Sequence, residues 1–405
     1  MLDRERVERR MKRYFGHDKL RSKQWRVINS IMNGEDTIGL LTTGYGKSVC
    51  YLLPSLLSKR IVIIISPLIS LMEDQREKLD RLGIRSVALH GNNIKKRSDV
   101  FDILDNKVRI VYTSPEYILS YDGKMLMEEI NERVGYFALD ECHCISGWGH
   151  DFRPEYLRVS ELRKRYTDIP ILALTATATI NVVQDIVEIL KMDKFNLVRS
   201  NVDRPNISLI VKKVKNFDYE YVLMELKRIK KERCIIYVNS RNEAESISME
   251  LKSRTKKPIY MYHAGMCSKE RLELQEEFSK RSNCVMVSTI AFGMGIDQIV
   301  RMVIIYGSPS SIEEYYQQIG RAGRDGKKSY SILLYKEQQY MISKSMIDKG
   351  GFSDKITIGK RKKLSNIYEY SLKLKTCRRK YLLNYFGQKV EWVKCNNCDI
   401  CLEIK

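Results

Sequence analysis

The chain has 405 residues, with 71 Lys or Arg against 50 Asp or Glu and a net charge of +21. That length exceeds one ordinary hydrophobic core, and the basic balance favours a polyanionic partner, nucleic acid before membrane, although a basic surface can also serve solubility alone. The N-terminus lacks the apolar stretch of a secretory signal, and apolar runs such as IVIII at 61–65 are too short to span a membrane. We therefore expect a soluble, intracellular protein without membrane contact, in the nucleus or cytoplasm depending on its source.

Short runs of Ile, Val and Leu alternate along the chain with longer helix-like segments. The predicted strands are DTIGLL, RIVIIIS, VRIVYTS, GYFALD and PILALTAT, then CIIYVNS, NCVMVST and RMVIIYGS. Apolar strands separated by helices predict an α/β fold with parallel sheets covered on both faces. The series pauses at SNVDRPNISLI, residues 200–210, and a Lys- and Arg-rich helical region begins near residue 340. We predict domains over residues 1–205, 206–339 and 340–405.

A Gly-containing turn, LTTGYGKS at 41–48, follows the first predicted strand and precedes a helix-like segment. In such a turn, backbone N–H groups and a helix N-terminus face the phosphates of a nucleotide, and a lysine adds a point charge. The candidate residues are Thr43, Gly44, Gly46 and Lys47, with Ser48 as a magnesium ligand. The spacing departs from the strict phosphate-loop pattern, because Leu41 stands where the first Gly would be.

Two further segments carry the groups that nucleotide hydrolysis needs. Asp140 and Glu141 lie at the end of the strand GYFALD and suit a magnesium ligand and a base for the attacking water. Arg321 and Arg324, in the pattern QxxGRxGR, suit the charge that develops on a leaving phosphate. Ordinary solvated strand ends and surface arginines are the alternative interpretations.

The acidic pair opens the segment DECHCISGWGHDFRPEY at 140–156, which combines Trp148, Phe152 and Arg153 within a few residues. Aromatic rings and an arginine suit the stacking of nucleic-acid bases. A Trp this close to an apolar strand also suits a buried core, and the segment alone leaves both interpretations open.

Four of the ten cysteines form a separate group at the C-terminus: Cys377, Cys395, Cys398 and Cys401. Four thiolates with two-residue gaps in the last three suit tetrahedral zinc, although three such cysteines also begin many iron–sulfur clusters. The other six cysteines are scattered and are predicted to be reduced thiols.

The motifs TTGYGKS, DECH, ALTATAT, STIAFGMGID and QQIGRAGRDG occur together and in order, and the chain closely resembles the RecQ family of superfamily 2 DNA helicases. The resemblance extends from FGHDKLRSKQ at 15–24 to the final cysteines and is most specific in the aromatic-rich segment. It implies two RecA-like parallel-sheet motor domains with ATP in the cleft between them, and a helical module that binds zinc rather than an iron–sulfur cluster.

The resemblance also assigns roles to individual residues. It implies that the aromatic-rich loop couples single-stranded DNA binding to hydrolysis, and that Gln24 and Arg21 contact adenine. His17, which the resemblance also places at the adenine site, stands where many relatives have Tyr. Gly147 stands where they often have Gln, and the loop FGMGIDQIVR is one residue shorter than usual and lacks the common Pro. The further residues that it assigns are His150, Phe152 and Arg153 with Trp148 to DNA, Thr175 and Thr177 to coupling, and Gly295, Asp297 and Gln317 to the nucleotide.

The sequence thus predicts an ATP-dependent 3′-to-5′ helicase that uses magnesium and zinc and acts on single-stranded and tailed duplex DNA. An RNA helicase, a duplex translocase or a non-catalytic DNA-binding scaffold are the alternatives. Many RecQ proteins continue into a winged-helix domain, and only LEIK follows Cys401. We therefore expect unwinding of short tailed duplexes, gripped by basic segments such as KRKK at 360–363 and CRRK at 377–380.

Overall fold

The computed structural model describes residues 3–91, 96–146, 153–292, 298–350 and 354–404. The chain divides into two compact units, Met1–Asn201 and Val202–Lys405. Each unit contains one parallel sheet with helices on its faces. None of the described helices combines the length and the apolar content that crossing a bilayer requires.

The first unit has a seven-stranded sheet in the order β3-β4-β2-β5-β6-β1-β7. Its strands are β1 (Asp36–Leu40), β2 (Ile61–Ile65), β3 (Ser86–Leu89), β4 (Ile110–Thr113), β5 (Val134–Leu139), β6 (Ile171–Thr175) and β7 (Phe195–Arg199). Its helices are α1 (Arg4–Phe15), α2 (Ser22–Met32), α3 (Lys47–Ser58), α4 (Ile69–Arg81), α5 (Lys96–Leu104), α6 (Pro115–Ile118), α7 (Tyr121–Ile130), α8 (Pro154–Leu157), α9 (Ser160–Arg165) and α10 (Ile180–Ile189), with 3₁₀ turns at Asn131–Arg133 and Cys142–Ile145.

Strand β2 shows why this sheet is covered on both faces. Successive side chains of a strand point to opposite faces. Ile61, Ile63 and Ile65 pack into one buried apolar cluster, and Val62 and Ile64 pack into another. All five side chains are buried, as the continuous apolar sequence predicts.

The second unit has a six-stranded sheet in the order β10-β11-β9-β12-β13-β8. Its strands are β8 (Ile207–Lys213), β9 (Cys234–Tyr237), β10 (Ile259–Tyr262), β11 (Val285–Ser288), β12 (Met302–Gly307) and β13 (Ser329–Tyr335). Its helices are α11 (Tyr219–Arg228), α12 (Arg241–Arg254), α13 (Ser268–Lys280), α14 (Ile312–Ile319), α15 (Glu337–Lys349), α16 (Asp354–Tyr368), α17 (Arg378–Tyr385) and α18 (Asp399–Leu402), with a π-helical turn at Glu369–Lys373.

The described core residues of the C-terminal helical region belong to the core of the second sheet. Leu364, Ile367, Leu382 and Phe386 pack in the same buried cluster as Val303 of the central strand β12. The helical region is therefore built onto one face of the second sheet. The domain limits drawn at 205 and 339 stay predictions.

All eight strands predicted from apolar runs are present as β1, β2, β4, β5, β6, β9, β11 and β12. Five more strands, β3, β7, β8, β10 and β13, were not predicted. Strand β8 begins within the segment at 200–210 that was interpreted as a pause in the series. It pairs with β13 along its whole length, from Ile207 opposite Ser329 to Lys213 opposite Tyr335.

Candidate functional site

The turn between β1 and α3 has the geometry of a phosphate-binding loop. Gly44 and Gly46 have φ angles of 80° and 84°, in the left-handed region that favours glycine. Helix α3 begins at Lys47, directly after Gly46. Thr43 and Ser48 flank these residues and are half-buried. A helix N-terminus preceded by a glycine turn presents unpaired N–H groups, which suits an anion such as a triphosphate.

The residues predicted to contact adenine hold this loop in place. The Gln24 side-chain Nε2 donates to the carbonyl oxygens of Tyr45 at 3.0 Å and Gly46 at 3.2 Å. The Arg21 guanidinium donates to the carbonyl of Gly44 at 2.8 Å and lies 5.0 Å from the centre of the Tyr45 ring. A Cβ atom at Gly46 would lie 2.5 Å from the Gln24 Nε2, so a side chain there would displace this contact.

His17, the third residue assigned to adenine, is exposed just after the end of α1. The contact of all three residues with a nucleotide stays a prediction. The geometry adds that Gln24 and Arg21 both hydrogen-bond to carbonyls of the phosphate loop, so the predicted adenine contacts and the phosphate loop share these two side chains.

The acidic pair follows the end of β5 and meets the loop lysine. Lys47 Nζ lies 2.7 Å from Glu141 Oε1. Glu141 has a φ of 48°, a left-handed conformation that is uncommon for a residue with a side chain. The buried hydroxyl of Tyr156 donates to the carbonyls of Ile65 at 2.9 Å and Asp140 at 2.8 Å, which ties the ends of β2 and β5 together. The ion pair orients the Glu141 carboxylate, and the Glu141 backbone N–H donates to Asp140 Oδ1 at 3.0 Å, which orients the Asp140 carboxylate.

The pKa values of the two carboxylates are shifted in opposite directions. Burial raises the pKa of Asp140, although the Lys47 ammonium acts against it. Burial also disfavours ionised Glu141, but the nearby Lys47 ammonium and a hydrogen bond from His143 outweigh it and lower the pKa of Glu141. For Lys47 itself, the attraction of Glu141 and Asp140 exceeds the cost of burial and raises its pKa. Lys47 and Glu141 therefore form a charged pair at neutral pH.

A chain of buried hydrogen bonds links Glu141 to the segment after β6. His143 Nδ1 lies 2.8 Å from Thr175 Oγ1 and 3.3 Å from Glu141 Oε2. The Thr177 backbone N–H donates to Thr175 Oγ1 at 3.3 Å. Thr175 and Thr177 are almost fully buried, so these side chains suit coupling rather than contact with DNA. His143 was not predicted as a site residue. Its position in the motif DECH, two residues after Glu141, was the signal that could have indicated it.

The chain on either side of the aromatic-rich loop is anchored to the first unit. Ser146 Oγ donates to Asp185 Oδ2 of α10 at 2.5 Å. Arg153 donates from its backbone N–H to the Cys144 carbonyl at 3.0 Å, and from its guanidinium to the Pro67 carbonyl at 2.5 Å. The predicted loop residues Gly147, Trp148, His150 and Phe152 lie outside the described residues, as do Gly295 and Asp297.

Arg321 and Arg324 lie in a turn after α14, and hydrogen bonds from Arg204 stabilise the backbone of this turn. Arg204 donates to the carbonyls of Ala322 and Gly323, both at 2.8 Å. Arg321 and Arg324 lie near the Tyr237 hydroxyl. Burial raises the pKa of Tyr237, and the two guanidinium groups offset only part of that rise. Gln317 is half-buried in the last turn of α14. The turn thus presents two cations from a fixed backbone.

The four C-terminal cysteines come together as the sequence predicts. The sulfur atoms of Cys377, Cys395, Cys398 and Cys401 all lie within 4.8 Å of one another. Zn–S bonds of about 2.3 Å in a tetrahedron place sulfur atoms about 3.8 Å apart, so this set fits zinc after a small contraction. The Asn397 backbone N–H donates to Cys395 Sγ at 3.4 Å, a contact that stabilises a thiolate ligand.

This cysteine cluster is attached to the edge of the second sheet. The Leu209 N–H donates to the Asn397 carbonyl at 3.2 Å, and the Val211 N–H donates to Asp399 Oδ2 at 3.0 Å. Residues 397–399 therefore cover part of the outer side of β8. Unpaired strand edges invite association with other chains, and this cover removes part of that edge.

The expectation that CRRK at 377–380 grips duplex DNA is wrong for its two arginines. Arg378 is buried and paired with Asp399, with Nε 2.5 Å from Oδ1. Arg379 is buried and donates to Asp203 at 3.0 Å and to the Ile207 carbonyl at 2.5 Å. The partners lie far away in sequence, which is why the basic run looked solvated.

Three protein-family models match consecutive parts of the chain. They are "DEAD/DEAH box helicase" over residues 21–186, "Helicase conserved C-terminal domain" over 213–326 and "RecQ zinc-binding" over 336–402.

Curated relatives match over nearly the whole chain. A protein of Acanthamoeba polyphaga mimivirus named "Putative ATP-dependent RNA helicase R290" is 37% identical over 98% of this chain and 72% of its own length. "ATP-dependent DNA helicase RecQ" of Haemophilus influenzae is 38% identical over 97% of this chain, which spans 63% of that relative.

Among solved structures, the DUF1998 helicase MrfA bound to DNA matches with a TM-score of 0.68 and 21% identity, over 96% of this chain and 60% of that chain. This likeness concerns the fold. With the zinc-binding match and the cysteine cluster, it confirms the predicted class of two RecA-like parallel-sheet domains and a helical zinc-binding region.

Proposed function

Because the chain belongs to the RecQ family of ATP-dependent helicases, we propose that it couples ATP hydrolysis to 3′-to-5′ movement on single-stranded DNA and to unwinding of tailed duplexes. The observation that carries this proposal is the contact of Lys47 with Glu141, at 2.7 Å, beside the buried chain through His143 and Thr175. It connects a phosphate-binding loop, a candidate base and a coupling segment within one unit.

The Lys47–Glu141 pair suggests how nucleotide binding activates Glu141 as a base. A triphosphate in the loop attracts the Lys47 ammonium away from Glu141. Glu141, still oriented by His143, can then accept a proton from the attacking water. Without nucleotide, the same carboxylate is neutralised by the lysine and is a poor base.

Ser48 and Asp140 are the residues that would hold magnesium. Asp140 supplies a buried carboxylate beside the loop, and Ser48 supplies a hydroxyl that already accepts a hydrogen bond from Tyr51 at 3.1 Å. A hard cation prefers such oxygen ligands, and magnesium would offset the negative charge of the phosphates. We assign Arg321 and Arg324 to the charge that develops on the transferred phosphoryl group, and Gln317 to binding of the nucleotide.

Coupling to DNA is proposed to pass through the anchors of the aromatic-rich loop. Ser146 is bonded to α10, which follows Thr175 and Thr177, and Arg153 is bonded to the segment after β2. We propose that DNA bases stack on Trp148 and Phe152, and that His150 and Arg153 lie near the DNA backbone. This binding would shift the two anchoring hydrogen bonds and thereby change the position of Glu141.

The test is a strand-displacement assay with 3′-tailed, 5′-tailed and blunt DNA duplexes, with ATP and with a non-hydrolysable analogue. We expect displacement of the 3′-tailed duplex alone, and only with ATP. Glu141→Gln serves as the control for contaminating helicases. Equal activity on the 5′-tailed duplex would contradict the polarity, and displacement by the analogue would contradict the coupling.

One observation favours a second candidate, an RNA helicase. The mimivirus relative, 37% identical, carries an RNA helicase name. The same assay therefore includes a 3′ RNA tail on the same duplex. Equal displacement from the RNA tail would favour the RNA candidate over the DNA-specific one.

A further inference from the structure

A basic groove lies at the amino end of part of the second sheet. It has a volume of about 700 Å³ and lies between the C-terminal ends of α11 and α12 and Asn283, two residues before β11. We call it the lysine groove and define it by Lys227, Lys230, Lys256 and Lys257, with Met224 on its wall. Helices α11 and α12 lead into β9 and β10, so the groove lies at the amino ends of three neighbouring strands.

The groove is distinct from the predicted nucleotide-contacting segments of this unit. The segment that leads to Gly295 and Asp297 leaves the carboxyl end of β11, where catalytic loops of parallel α/β sheets lie. The arginine turn follows α14 and enters β13 at its amino end, where the Gly323 N–H donates to the Val300 carbonyl at 2.8 Å. Neither Arg321 nor Arg324 lines the groove, so its lysines are not part of the predicted phosphate site.

The charges of the groove are largely uncompensated. Its lining contains five cationic side chains and one carboxylate, Glu220, which pairs with Arg254 at 3.2 Å. Among the described residues, no ion pair neutralises Lys227, Lys230 or Lys256, and all three are exposed. Lysines at helix C-termini offset the helix dipole, but two helix ends carry only about half a charge each. The excess therefore suits a polyanion.

Lys257 shapes the groove rather than adding to its charge. Its Nζ donates to the Lys230 carbonyl at 3.1 Å, which ties the loop after α11 to the loop after α12. The two loops consequently present their exposed lysines at a fixed separation, as a surface that follows a regular series of phosphates would require.

The side chains favour duplex over single-stranded nucleic acid. None of the described residues that line the groove is Phe, Tyr, Trp or His. Proteins that bind single strands without sequence preference stack bases on aromatic rings, whereas a duplex offers its phosphates alone. We propose that the lysine groove binds the phosphate backbone of double-stranded DNA, without sequence preference, as a contact separate from the motor's own DNA-binding loop.

The test compares two triple variants with the same change of charge. Lys227→Gln/Lys230→Gln/Lys256→Gln alters the groove, and Lys164→Gln/Lys191→Gln/Lys194→Gln removes three exposed lysines of the first unit. Binding of a blunt duplex without ATP is measured by fluorescence anisotropy from about 50 to 200 mM salt, where phosphate contacts dominate the salt dependence. ATPase stimulated by a short single strand is measured in parallel.

We expect the groove variant to bind the duplex more weakly, with a log–log salt slope lower by about 2.7, because each lost contact removes about 0.9. The control variant should keep the wild-type slope, and both should keep single-strand-stimulated ATPase. Equal duplex binding by the groove and control variants would overturn the proposal.

Competition with polyglutamate tests the alternative ligand of the groove, an acidic protein. If the groove variant loses polyglutamate binding but keeps its duplex affinity, the groove fits an acidic protein and the DNA proposal is overturned. Failure of the proposed helicase function would appear differently, as absent ATP-dependent displacement in the wild type, and would leave the duplex-binding comparison intact.

Discussion

At the scale of single residues, the most informative contact is that of Glu141 with Lys47. We predict that Glu141→Gln keeps nucleotide binding but lowers DNA-stimulated ATPase turnover about 10²- to 10⁴-fold, the usual contribution of a general base. The amide keeps the size of the carboxylate and cannot accept the proton. Turnover is measured with a coupled phosphate assay, and binding with a fluorescent ATP analogue.

Lys47→Ala is the matched variant, because it removes the other half of the same pair. It should weaken analogue binding as well as turnover, since the proposed role of Lys47 is a direct contact with the phosphates. Near-wild-type turnover of Glu141→Gln would show that another group acts as the base.

Thr175 supports a second prediction at this scale. Thr175→Val keeps the shape of the buried side chain and removes the hydroxyl that lies 2.8 Å from His143 Nδ1. Loss of a buried hydrogen bond costs about 1–3 kcal/mol. We therefore expect a smaller ratio of DNA-stimulated to basal ATPase, together with a lower Tm.

The control for this prediction separates stability from coupling. Ser55→Ala removes a buried hydroxyl of the same unit that donates to the Arg60 carbonyl at 2.8 Å, away from Glu141. It should lower Tm by a similar amount and leave the stimulation ratio unchanged. An equal loss of stimulation in both variants would assign the effect of Thr175→Val to stability.

At the scale of elements, the sequence predicts those features that depend on residues close together in the chain. The phosphate loop, the acidic pair and the cysteine cluster form from short motifs, and each appears where its motif lies. Strands β8 and β13 were missed because ISLIVKK and SYSILLY mix polar with apolar residues, and β10 was missed because IYMY is only four residues long. Pairing with neighbouring strands stabilises all three. Arg378 and Arg379 were misjudged for the same reason, since Asp399 and Asp203 neutralise them from a distance in sequence.

The attachment of the cysteine cluster to β8 leads to a third prediction. Cys398→Ser, or removal of zinc by a chelator, should release residues 397–399 and uncover the outer side of β8. Structural zinc contributes directly to folding, so we expect loss of solubility or of DNA binding, with an intact nucleotide loop in the first unit.

The measurement pairs metal content by elemental analysis with light scattering and analogue binding. Cys284→Ser, a change at a buried cysteine outside the cluster, is the control and should keep its zinc. A Cys398→Ser protein with no bound zinc that stays monodisperse and binds DNA normally would contradict a structural role for the metal.

At the scale of the whole molecule, the excess of 71 basic over 50 acidic residues determines how the protein meets DNA. Buried pairs such as Arg378–Asp399 and Arg379–Asp203 are neutral and add nothing to this excess, so the excess comes from other residues. Exposed lysines and arginines act by displacing counterions, whereas the Lys47–Glu141 pair is largely buried and is screened less by salt. DNA-dependent and DNA-independent activities should therefore differ in their response to salt.

We predict that DNA-stimulated ATPase and strand displacement fall steeply between about 50 and 200 mM salt, while basal ATPase changes little. The reason is that each DNA phosphate contact releases about one counterion, and the nucleotide site relies on backbone N–H groups and buried charges. The measurement is a titration of KCl with saturating ATP, with and without a single-stranded oligonucleotide. Potassium glutamate is the control, because a more weakly competing anion should leave the cation-dependent loss in place. A parallel fall of basal and stimulated ATPase would locate the salt sensitivity in the nucleotide site and contradict this division.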